Sequence, residues 1–445
     1  MSAPDVRREL EETWREVVSK AYELIRAYPL CDSCLGRMFG LLGRGYTNRE
    51  RGRAIKMALV MGLHRQMREG SQEALQVFLE IAPNLGSVAS HLYRETTGKE
   101  LVARPCFICG SDLEQIVETA ACTAIKLIRS STDARTFLVS ALVSEDVRER
   151  EDTIKRTFGL SYAESIGAEV RREVSKRVQK ELGLHPEFRK PDVVVEVSVP
   201  AGKASLRFTH MLIEGAYKKL ARRISQALWL HRERGEGPYF SVEEALQPLG
   251  MLLKGAKVVL HASGREDIDV RMLGTGRPMV VEVKEARVRY PELRNLEEAV
   301  NSYARGLVNV KLSNFVGRQE VRQLKTREAR KYKTYKALVY VEGAVTDNDL
   351  QRLEEEFAGR SVRQRTPRRV RHRRPDIVRE RIVVEVKTRR LEDSVFEALI
   401  TAEGGLYIKE LVSGDGGDTT PSFSEILGSN AYCVELDVLA VGVES

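Results

Sequence analysis

Two Cys-x-x-Cys pairs, Cys31 with Cys34 and Cys106 with Cys109, account for four of the six cysteines in the chain. Such a pair directs two thiolates at one metal ion with little strain, and two pairs complete the four-sulfur tetrahedron that zinc prefers. A shared ion would tie two distant segments together and so restrict how the first part of the chain folds. Because four sulfur ligands leave no open position, we predict a structural zinc; buried free thiols are the alternative.

The N-terminal sequence lacks the apolar stretch of a secretory signal, since it is charged and helical in pattern. The longest apolar runs are strand-length and broken by charge, so we expect no segment that spans a bilayer. We therefore expect a cytoplasmic protein without membrane contact, in which paired cysteines bind metal and do not form disulfides. The two isolated cysteines, Cys122 and Cys433, lie in apolar contexts and are expected in the core.

Basic residues exceed acidic ones: 72 Lys and Arg against 64 Asp and Glu give a net charge of +8 and a pI of about 9.1. That pI is near the level typical of nucleic-acid binders. Residues 363–374, here called the arginine run, contain seven arginines and no acidic residue, and a second basic stretch spans residues 318–331. Clustered cations of this kind attract phosphates, although a solvated surface strand is the alternative for the arginine run.

Changes of pattern divide the chain into three regions, with an α+β fold class overall. Residues 1–132 are predicted to be helical and carry the cysteine pairs, and residues 133–240 alternate strands and helices as a compact α+β unit. Residues 241–445 contain many strands with helices interspersed irregularly, which favours a mixed, mainly antiparallel sheet. The Gly/Pro-rich residues 235–240 are the candidate hinge before this last region.

Individual elements follow from local periodicity. We expect helices over residues 4–26 and 48–68, and a further helix from about residue 213. In the last region we expect helices near residues 293–305, 347–357 and 394–402. The apolar segment Leu-Tyr-Ile-Lys-Glu-Leu-Val that begins at Leu406 is expected to be a strand.

A polar, glycine-rich stretch at residues 264–278 interrupts two predicted strands and concentrates carboxylates and arginines. Its composition fits a charged hairpin loop equally well. The stretch resembles the Gly-Arg-x-Asp motif of pseudouridine synthases, in which the aspartate is indispensable, and here that aspartate is Asp267. The longer string GREDIDVRMLGTGRP resembles the tenth pseudouridine synthase family, the archaeal and eukaryotic enzymes that act on the TΨC arm of tRNA.

Two later segments match the same family in the required order. Lys-Thr-Tyr-Lys-Ala-Leu-Val resembles its strand with the active-site tyrosine, here Tyr335. Gly-Leu-Tyr-Ile-Lys-Glu-Leu-Val-Ser-Gly-Asp resembles the strand that supplies a basic residue opposite the aspartate, here Lys409. The family also carries paired Cys-x-x-Cys elements followed by a THUMP domain, an RNA-binding module to which residues 133–230 are similar. The resemblance therefore covers nearly the whole chain.

The resemblance implies a tRNA pseudouridine synthase that isomerises uridine at position 54, position 55 or both, without an organic cofactor. Asp267 would act as the nucleophile or as the base that starts elimination. Lys409 would stand within about 4–6 Å of that carboxylate and offset its charge. Tyr335 would hold the uracil, with a core tyrosine as its alternative. Arg265 would fill the gap left by the flipped nucleotide, or bind phosphate.

The resemblance also implies how tRNA is held. The catalytic region would grip the TΨC arm, the THUMP-like region would reach the acceptor end, and the enzyme would act as a monomer. The side chains expected to contact the substrate lie in the tyrosine motif, the lysine motif and the arginine run: Tyr335, Tyr407, Arg365, Arg368, Arg369 and Arg371.

Two residues depart from the family pattern. Leu406 stands where the family has threonine, and Asp418 stands where it has arginine, which would weaken a phosphate contact. The competing interpretation is therefore a non-catalytic tRNA-binding or chaperone protein that keeps the fold. A THUMP-bearing methyltransferase or thiouridine enzyme is disfavoured because we find no glycine-rich loop of the type that binds S-adenosylmethionine or ATP.

Overall fold

The computed structural model forms two compact units, Met1–Thr209 and His210–Ser445. None of the helices in its described part is long and apolar enough to cross a membrane. The structure describes residues 3–110, 112–229, 239–326, 332–372 and 374–443.

The first unit begins with helices and ends with a small sheet. Its helices are α1 (Ala3–Ala27), α2 (Asp32–Arg37), α3 (Asn48–Arg68), α4 (Gln72–Leu85), α5 (Ser90–Thr97), α6 (Leu113–Ser131), α7 (Glu145–Thr157) and α8 (Ile166–Leu182). Its strands are β1 (Thr136–Val143), β2 (His185–Pro186), β3 (Val193–Val199) and β4 (Ala204–Phe208). The predicted helices at residues 4–26 and 48–68 are confirmed. The second begins at a capping box, in which Thr47 and Glu50 bond reciprocally.

The small sheet has the strand order β2-β1-β3-β4, with β1 parallel to β3 and β3 antiparallel to β4. Helices α6 and α8 pack against it. Val170, Val174 and Val178 recur every four residues along α8 and are buried in one core with Phe137 and Val195. This part of the chain therefore has the mixed α+β character that its alternating pattern predicted.

A buried ion cluster joins three helices of the first unit. The guanidinium of Arg37, at the end of α2, bonds to Glu151 of α7 at 2.9 Å and to Glu169 of α8 at 3.1 Å. All three side chains are almost completely buried. Glu151 also accepts a hydrogen bond from the backbone N–H of Ile166. A buried charge is tolerated only when it is paired in this way, so the cluster fixes α2 against α7 and α8.

The second unit is built on a ten-stranded sheet in the order β10-β5-β9-β16-β11-β14-β13-β12-β15, with β8 paired to β9. The pair β9 and β16 is parallel and the other pairs are antiparallel, which confirms the mixed, mainly antiparallel sheet. The strands of this unit are β5 (Met211–Lys219), β6 (Ile224–Ser225), β7 (Phe240–Ser241), β8 (Lys257–Ala262), β9 (Arg271–Lys284), β10 (Val308–Val316), β11 (Tyr332–Val341), β12 (Arg360–Arg365), β13 (Val378–Glu392), β14 (Val395–Glu403), β15 (Thr419–Thr420) and β16 (Ala431–Val443). Strands β6 and β7 lie outside the ten-stranded sheet and pair with each other in parallel. Its helices are α9 (Val242–Ala245), α10 (Gln247–Leu252), α11 (Leu293–Ala304), α12 (Arg318–Thr326), α13 (Asp347–Phe357), α14 (Ile408–Ser413) and α15 (Phe423–Leu427).

The helix expected from about residue 213 is instead strand β5, which lies between β9 and β10. The division between the units consequently falls after Thr209, whereas the sequence analysis placed it at residue 240. Burial alternates only at the end of β5, where Tyr217 and Lys219 are buried, and the strand begins with an apolar triplet that is buried throughout, so the sequence showed no clear period of two. At Gly215 the backbone approaches the carbonyl of Lys311 so closely that a Cβ would lie 2.2 Å from its oxygen. Of the candidate hinge at residues 235–240, residues 235–238 lie outside the described residues.

Two further elements differ from the expected ones. The helix expected near residues 394–402 is strand β14, whose alternate residues Phe396, Ala398 and Ile400 are buried. The segment expected as a strand after Leu406 is helix α14, because its buried residues recur at helical spacing. The helices near residues 293–305 and 347–357 are confirmed as α11 and α13.

Of the two isolated cysteines expected in the core, Cys122 lies outside it and Cys433 packs against its edge. Cys122 is exposed on α6, and Cys433 is half-buried on β16. An apolar sequence context does not show which side of an element a residue faces, and both elements have an exposed side.

Replacing Arg37 with methionine should lower the free energy of unfolding of the first unit by about 3–5 kcal/mol, because two glutamates would stay buried without their cation. Urea unfolding followed by circular dichroism measures the change. The matched control is Arg26→Met, since Arg26 pairs with Glu80 on the surface and should barely shift the midpoint. Equal urea midpoints for the two variants would show that the buried ion pairs of Arg37 do not stabilise the first unit more than a surface ion pair does.

Candidate active site

The loop at residues 263–270, here called the aspartate loop, connects β8 to β9. Gly264 adopts a φ of 82°, a left-handed conformation that suits glycine. Beyond it the side chains alternate: Arg265 is exposed, Glu266 is buried, and the Asp267 side chain is 38% exposed. The loop therefore turns one carboxylate into the protein and presents the next at its surface.

The side chain of Asp267 lines a pocket of about 110 Å³ that lies wholly within the second unit. The four residues predicted to be catalytic all line it, although they come from three separate segments of the chain. They are Arg265 and Asp267 from the aspartate loop, Tyr335 from β11 and Lys409 from α14. Of the predicted substrate contacts, Tyr335, Tyr407 and Arg369 line the same pocket.

Two cations contact the carboxylate of Asp267, and both approach Oδ2. Nη1 of Arg369 lies 2.7 Å from that oxygen, and Nζ of Lys409 lies 3.7 Å from it. The lysine is nearer to Asp269, whose Oδ2 is 2.6 Å away. Lys409 alone was expected as the counter-ion from the sequence, and the closer contact from Arg369 was not predicted.

Arg369 also bonds to Glu410, with 2.6 Å between Nε and Oε1. Burial lowers the pKa of the Arg369 guanidinium, but its hydrogen bonds to Glu410 and the charge of Asp267 outweigh burial and leave that pKa above its usual value. Burial raises the pKa of Asp269, but the hydrogen bond from Lys409 and the charge of that lysine together outweigh burial and leave the pKa below its usual value. The result is a chain of alternating charges, with Asp267 at its centre between the two cations.

Tyr335 is almost fully buried on the sheet, whereas Tyr407 is half-buried at the start of α14. A buried glutamine fixes Tyr407: Gln364 accepts from its backbone N–H at 2.8 Å and donates to its carbonyl at 3.0 Å. The guanidinium carbon of Arg379 lies 5.3 Å from the centre of the Tyr407 ring. The sequence did not identify Gln364 as a site residue, because it stands between two arginines of the arginine run. Its neutral side chain at that position was the one local feature that could have indicated a different role.

Several arginines of the arginine run pair with carboxylates from outside the run. Arg365 bonds to Asp376 at 2.7 Å. Arg368 and Arg371 both bond to Asp418, at 3.1 and 2.9 Å. The run contains no acidic residue of its own, and the structure shows that its partners come from other parts of the chain. Hydrogen bonds from Arg371 and Arg368 lower the pKa of Asp418, which therefore stays a carboxylate.

Four further side chains that the sequence did not single out are buried beneath the aspartate loop. Tyr217 and Lys219 come from β5, Glu266 from the loop itself and Arg277 from β9. The hydroxyl of Tyr217 and Nε of Arg277 both donate to the carboxylate of Glu266. Their separation along the chain left no local pattern by which the sequence could have revealed them.

The four paired cysteines meet in the first unit. Their sulfur atoms all lie within 4.8 Å of one another, and Sγ of Cys31 is 3.8 Å from Sγ of Cys109. Four sulfurs at a zinc–sulfur bond length of 2.3 Å would be about 3.8 Å apart. Arg37 donates to Sγ of Cys34 at 3.5 Å, a contact that favours a thiolate there. The arrangement could hold one tetrahedral metal ion.

Comparison with known proteins gives matches over nearly the whole chain. The family model "Pus10, C-terminal" matches residues 212–442, and the model "Pus10 THUMP domain, archaeal" matches residues 121–198. The chain is similar to the tRNA pseudouridine synthase Pus10 of Aeropyrum pernix, with 45% identity over 96% of this chain and 98% of the relative. The proteins of the same name from Ignisphaera aggregans and Methanocaldococcus jannaschii are 39% and 37% identical, over 96% and 97% of this chain and 99% and 96% of their own.

These matches confirm the family resemblance that the three motifs indicated, and they confirm a THUMP domain within the first unit. The C-terminal model begins at residue 212, at the start of β5, and so agrees with the division after Thr209. Coverage of both chains is nearly complete for the relatives named above. The chain belongs to the Pus10 family of tRNA pseudouridine synthases.

Proposed function

We propose that this enzyme isomerises uridine to pseudouridine in the TΨC loop of tRNA, at position 54, position 55 or both, with Asp267 as the reacting carboxylate. The observation that carries the proposal is the pocket in which Asp267, Tyr335 and Lys409 meet, although their three motifs are far apart in the sequence. The reaction breaks one bond between base and sugar and makes another, without a change of oxidation state. An organic cofactor is therefore not required.

The two oxygens of Asp267 have different surroundings, which suggests different roles. The nearest approaches of Arg369 and of Lys409 to this carboxylate are both to Oδ2, so Oδ1 lies farther from each cation. In our proposal, Oδ1 attacks the ribose or removes the proton that starts elimination. The two cations hold the carboxylate in place and offset its charge when the bound nucleotide excludes water.

The other residues of the pocket would hold the nucleotide. Tyr335 would lie against the uracil, keep the detached base in place and help to remove the C5 proton at the end. Tyr407, fixed by its bonds to Gln364, would contact the substrate at the rim. Arg265 is exposed on the aspartate loop and would occupy the gap left by the flipped nucleotide.

The remaining parts of the proposal concern the partner and its surroundings. Arg365, Arg368 and Arg371 would contact phosphates of the TΨC arm, exchanging protein carboxylates for phosphate oxygens. The THUMP domain would reach the acceptor end. The enzyme would act in the cytoplasm as a monomer.

Substitution of Asp267 by alanine should lower the rate of pseudouridine formation by at least about 1,000-fold, because it removes the reacting carboxylate. The measurement is carbodiimide-primer extension on an unmodified tRNA transcript incubated with the purified protein. Asp393→Ala, which truncates an exposed aspartate of the same unit, should leave the signal unchanged. Tight tRNA binding by the unaltered protein without any product would favour the non-catalytic binding protein instead.

Substitution of Asp418 by asparagine should strengthen tRNA binding at low salt, because it releases Arg368 and Arg371 from their shared carboxylate. The plot of log affinity against log salt concentration should become steeper by about 1 to 2, roughly one for each cation that gains a phosphate. Fluorescence anisotropy measures both the affinity at low salt and the slope. The salt concentration is varied between about 50 and 200 mM, the range over which such contacts weaken. A slope equal to that of Asp393→Asn would rule out competition between Asp418 and phosphate.

We propose zinc as the ion held by Cys31, Cys34, Cys106 and Cys109. Four sulfur donors at tetrahedral spacing favour zinc, and three of the four cysteines are buried. The ion would tie the start of α2 to the segment before α6. With every coordination position filled by protein, it would stabilise the fold and take no part in the reaction.

Mass spectrometry of metals in the purified protein should find about one zinc per chain, the stoichiometry expected for a closed four-cysteine site. Cys106→Ser should lose the ion and unfold at a lower temperature, because the site would keep three sulfur ligands. The control is Cys122→Ser, since Cys122 is exposed and lies outside the cluster. Full zinc content in Cys106→Ser, or no zinc in the unaltered protein, would contradict the proposal.

A further inference from the structure

The aspartate loop is held from one side by residues 217–226, here called the cradle segment, which includes the end of β5. Four carbonyl oxygens of the loop each accept a hydrogen bond from this segment. The pairs are Gln226 Nε2 with Gly264 (2.9 Å), Lys219 Nζ with Asp267 (2.9 Å), Ile224 N with Ile268 (3.2 Å) and Arg222 Nη1 with Asp269 (2.9 Å). Three of these donors are side chains, so the loop depends on the identity of those residues as well as on the backbone.

Lys219 is the least accessible of the three side-chain donors, with an exposed fraction of 0%. Its Nζ lies 3.6 Å from Glu266 and donates to the carbonyl of Asp267. Burial holds the pKa of the Lys219 amine below its usual value, against the opposing charge of Glu266. A lysine in such a position is costly unless its partners are fixed, and here both partners belong to the aspartate loop.

Glu266, the residue before Asp267, is fixed even more tightly. Its carboxylate accepts from the Tyr217 hydroxyl at 3.1 Å and from Nε of Arg277 at 2.8 Å, and it pairs with Lys219. Burial, and then the charge of Glu266, raise the pKa of the Tyr217 hydroxyl, which therefore remains a proton donor. Anchoring Glu266 in this way fixes the backbone immediately before Asp267, and Lys219 fixes the carbonyl of Asp267 itself.

From this geometry we infer that Lys219, supported by Glu266 and assisted by Gln226, is a positioning residue that sets where the Asp267 carboxylate lies in the pocket. The inference rests on the proposed role of Asp267 in the reaction. Lys219 contacts the backbone of the reacting residue itself, so its removal would move that residue without removing any group that touches the nucleotide. A displacement of about 1 Å in such a group costs on the order of 100-fold in rate.

The test is Lys219→Met, which keeps the length and apolar part of the side chain and removes the donor and the charge. Single-turnover pseudouridine formation on an unmodified tRNA transcript should slow by about 10- to 100-fold. The dissociation constant for tRNA, measured by filter binding, should stay within about twofold, because no RNA-contacting group has changed. The control is Lys218→Met, the same substitution on the same strand, at a residue that is not one of the four donors to the aspartate loop. This variant should react at the unaltered rate.

A purely structural role for Lys219 would lower the thermal unfolding temperature and leave the single-turnover rate at saturating enzyme unchanged. That result, in a variant with an unaltered circular dichroism spectrum, would overturn the inference.

If Lys219→Met does not fold, Gln226→Leu provides the test. The side chain of Gln226 is half-buried, and the substitution removes its bonds to Gly264 and Tyr217. We expect the single-turnover rate of this variant to fall about 3- to 10-fold, which is less than for Lys219→Met because Gln226 does not contact Asp267 itself. An unaltered rate would overturn the inference.

The outcome for Asp267→Ala separates this inference from the proposed function. Full activity of Asp267→Ala would remove the proposed function, and with it the reason to position that carboxylate. Loss of activity in Asp267→Ala together with unaltered rates in Lys219→Met and Gln226→Leu would keep the proposed function and overturn the inference alone.

Discussion

The parallel pairing of β9 with β16 is the constraint on which the arrangement of the pocket depends. Val438 of β16 lies opposite Met272 on one side and opposite Tyr335 on the other. Because neighbouring strands are about 4.8 Å apart, Tyr335 is held about 10 Å from the first residues of β9, at the same level of the sheet. The aspartate loop ends where β9 begins, so this register brings Asp267 and Tyr335 into one pocket.

An ion pair secures that register. The guanidinium of Arg271 bonds to both oxygens of Asp437, at 2.8 and 2.5 Å, and these two residues are opposite each other in the parallel pair. Arg222 of the cradle segment also contacts Asp437, at 3.0 Å. Helix α14, which carries Lys409, packs against the same strand β16. Strand β16 therefore connects the segments that contribute to the pocket.

Carboxylates pair with several of the arginines near the pocket, and this changes how the departure at Asp418 is understood. From sequence, an acidic residue at that position suggested a lost phosphate contact. In the structure, Asp418 is the partner of Arg368 and Arg371, and it orders a run that would otherwise repel itself. Glu410 does the same for Arg369, which it holds beside Asp267. In our proposal, Asp418 occupies the place that a phosphate would take.

The sequence predicted those features that depend on local pattern or on a family motif. The spacing of the cysteines predicted their meeting, and the motifs identified three residues that the structure brings to one pocket, Asp267, Tyr335 and Lys409. Local periodicity gave most helices and strands correctly. It was wrong for β5, β14 and α14, where short apolar runs fit both periods and only contacts with the rest of the unit decide between them.

The remaining features could not be predicted because they arise from contacts between distant parts of the chain. Arg369 was indistinguishable from its neighbours in the arginine run until α14 placed Glu410 on one side of it and the aspartate loop placed Asp267 on the other. Lys219 was assigned to a helix of another domain, so its bond to the carbonyl of Asp267 had no counterpart in the sequence. Buried charges of this kind are revealed by tertiary structure alone.

A structure of the Asp267→Asn variant bound to tRNA would test the central claim most directly, through the distance from the residue 267 side chain to the target ribose. Our account predicts a uridine of the TΨC loop flipped out of its stack, with its base against Tyr335 and its ribose about 3–3.5 Å from the side-chain oxygen at position 267. A TΨC loop whose uridines remain stacked while the tRNA is fully bound, or a nucleotide held elsewhere with this pocket empty, would contradict it.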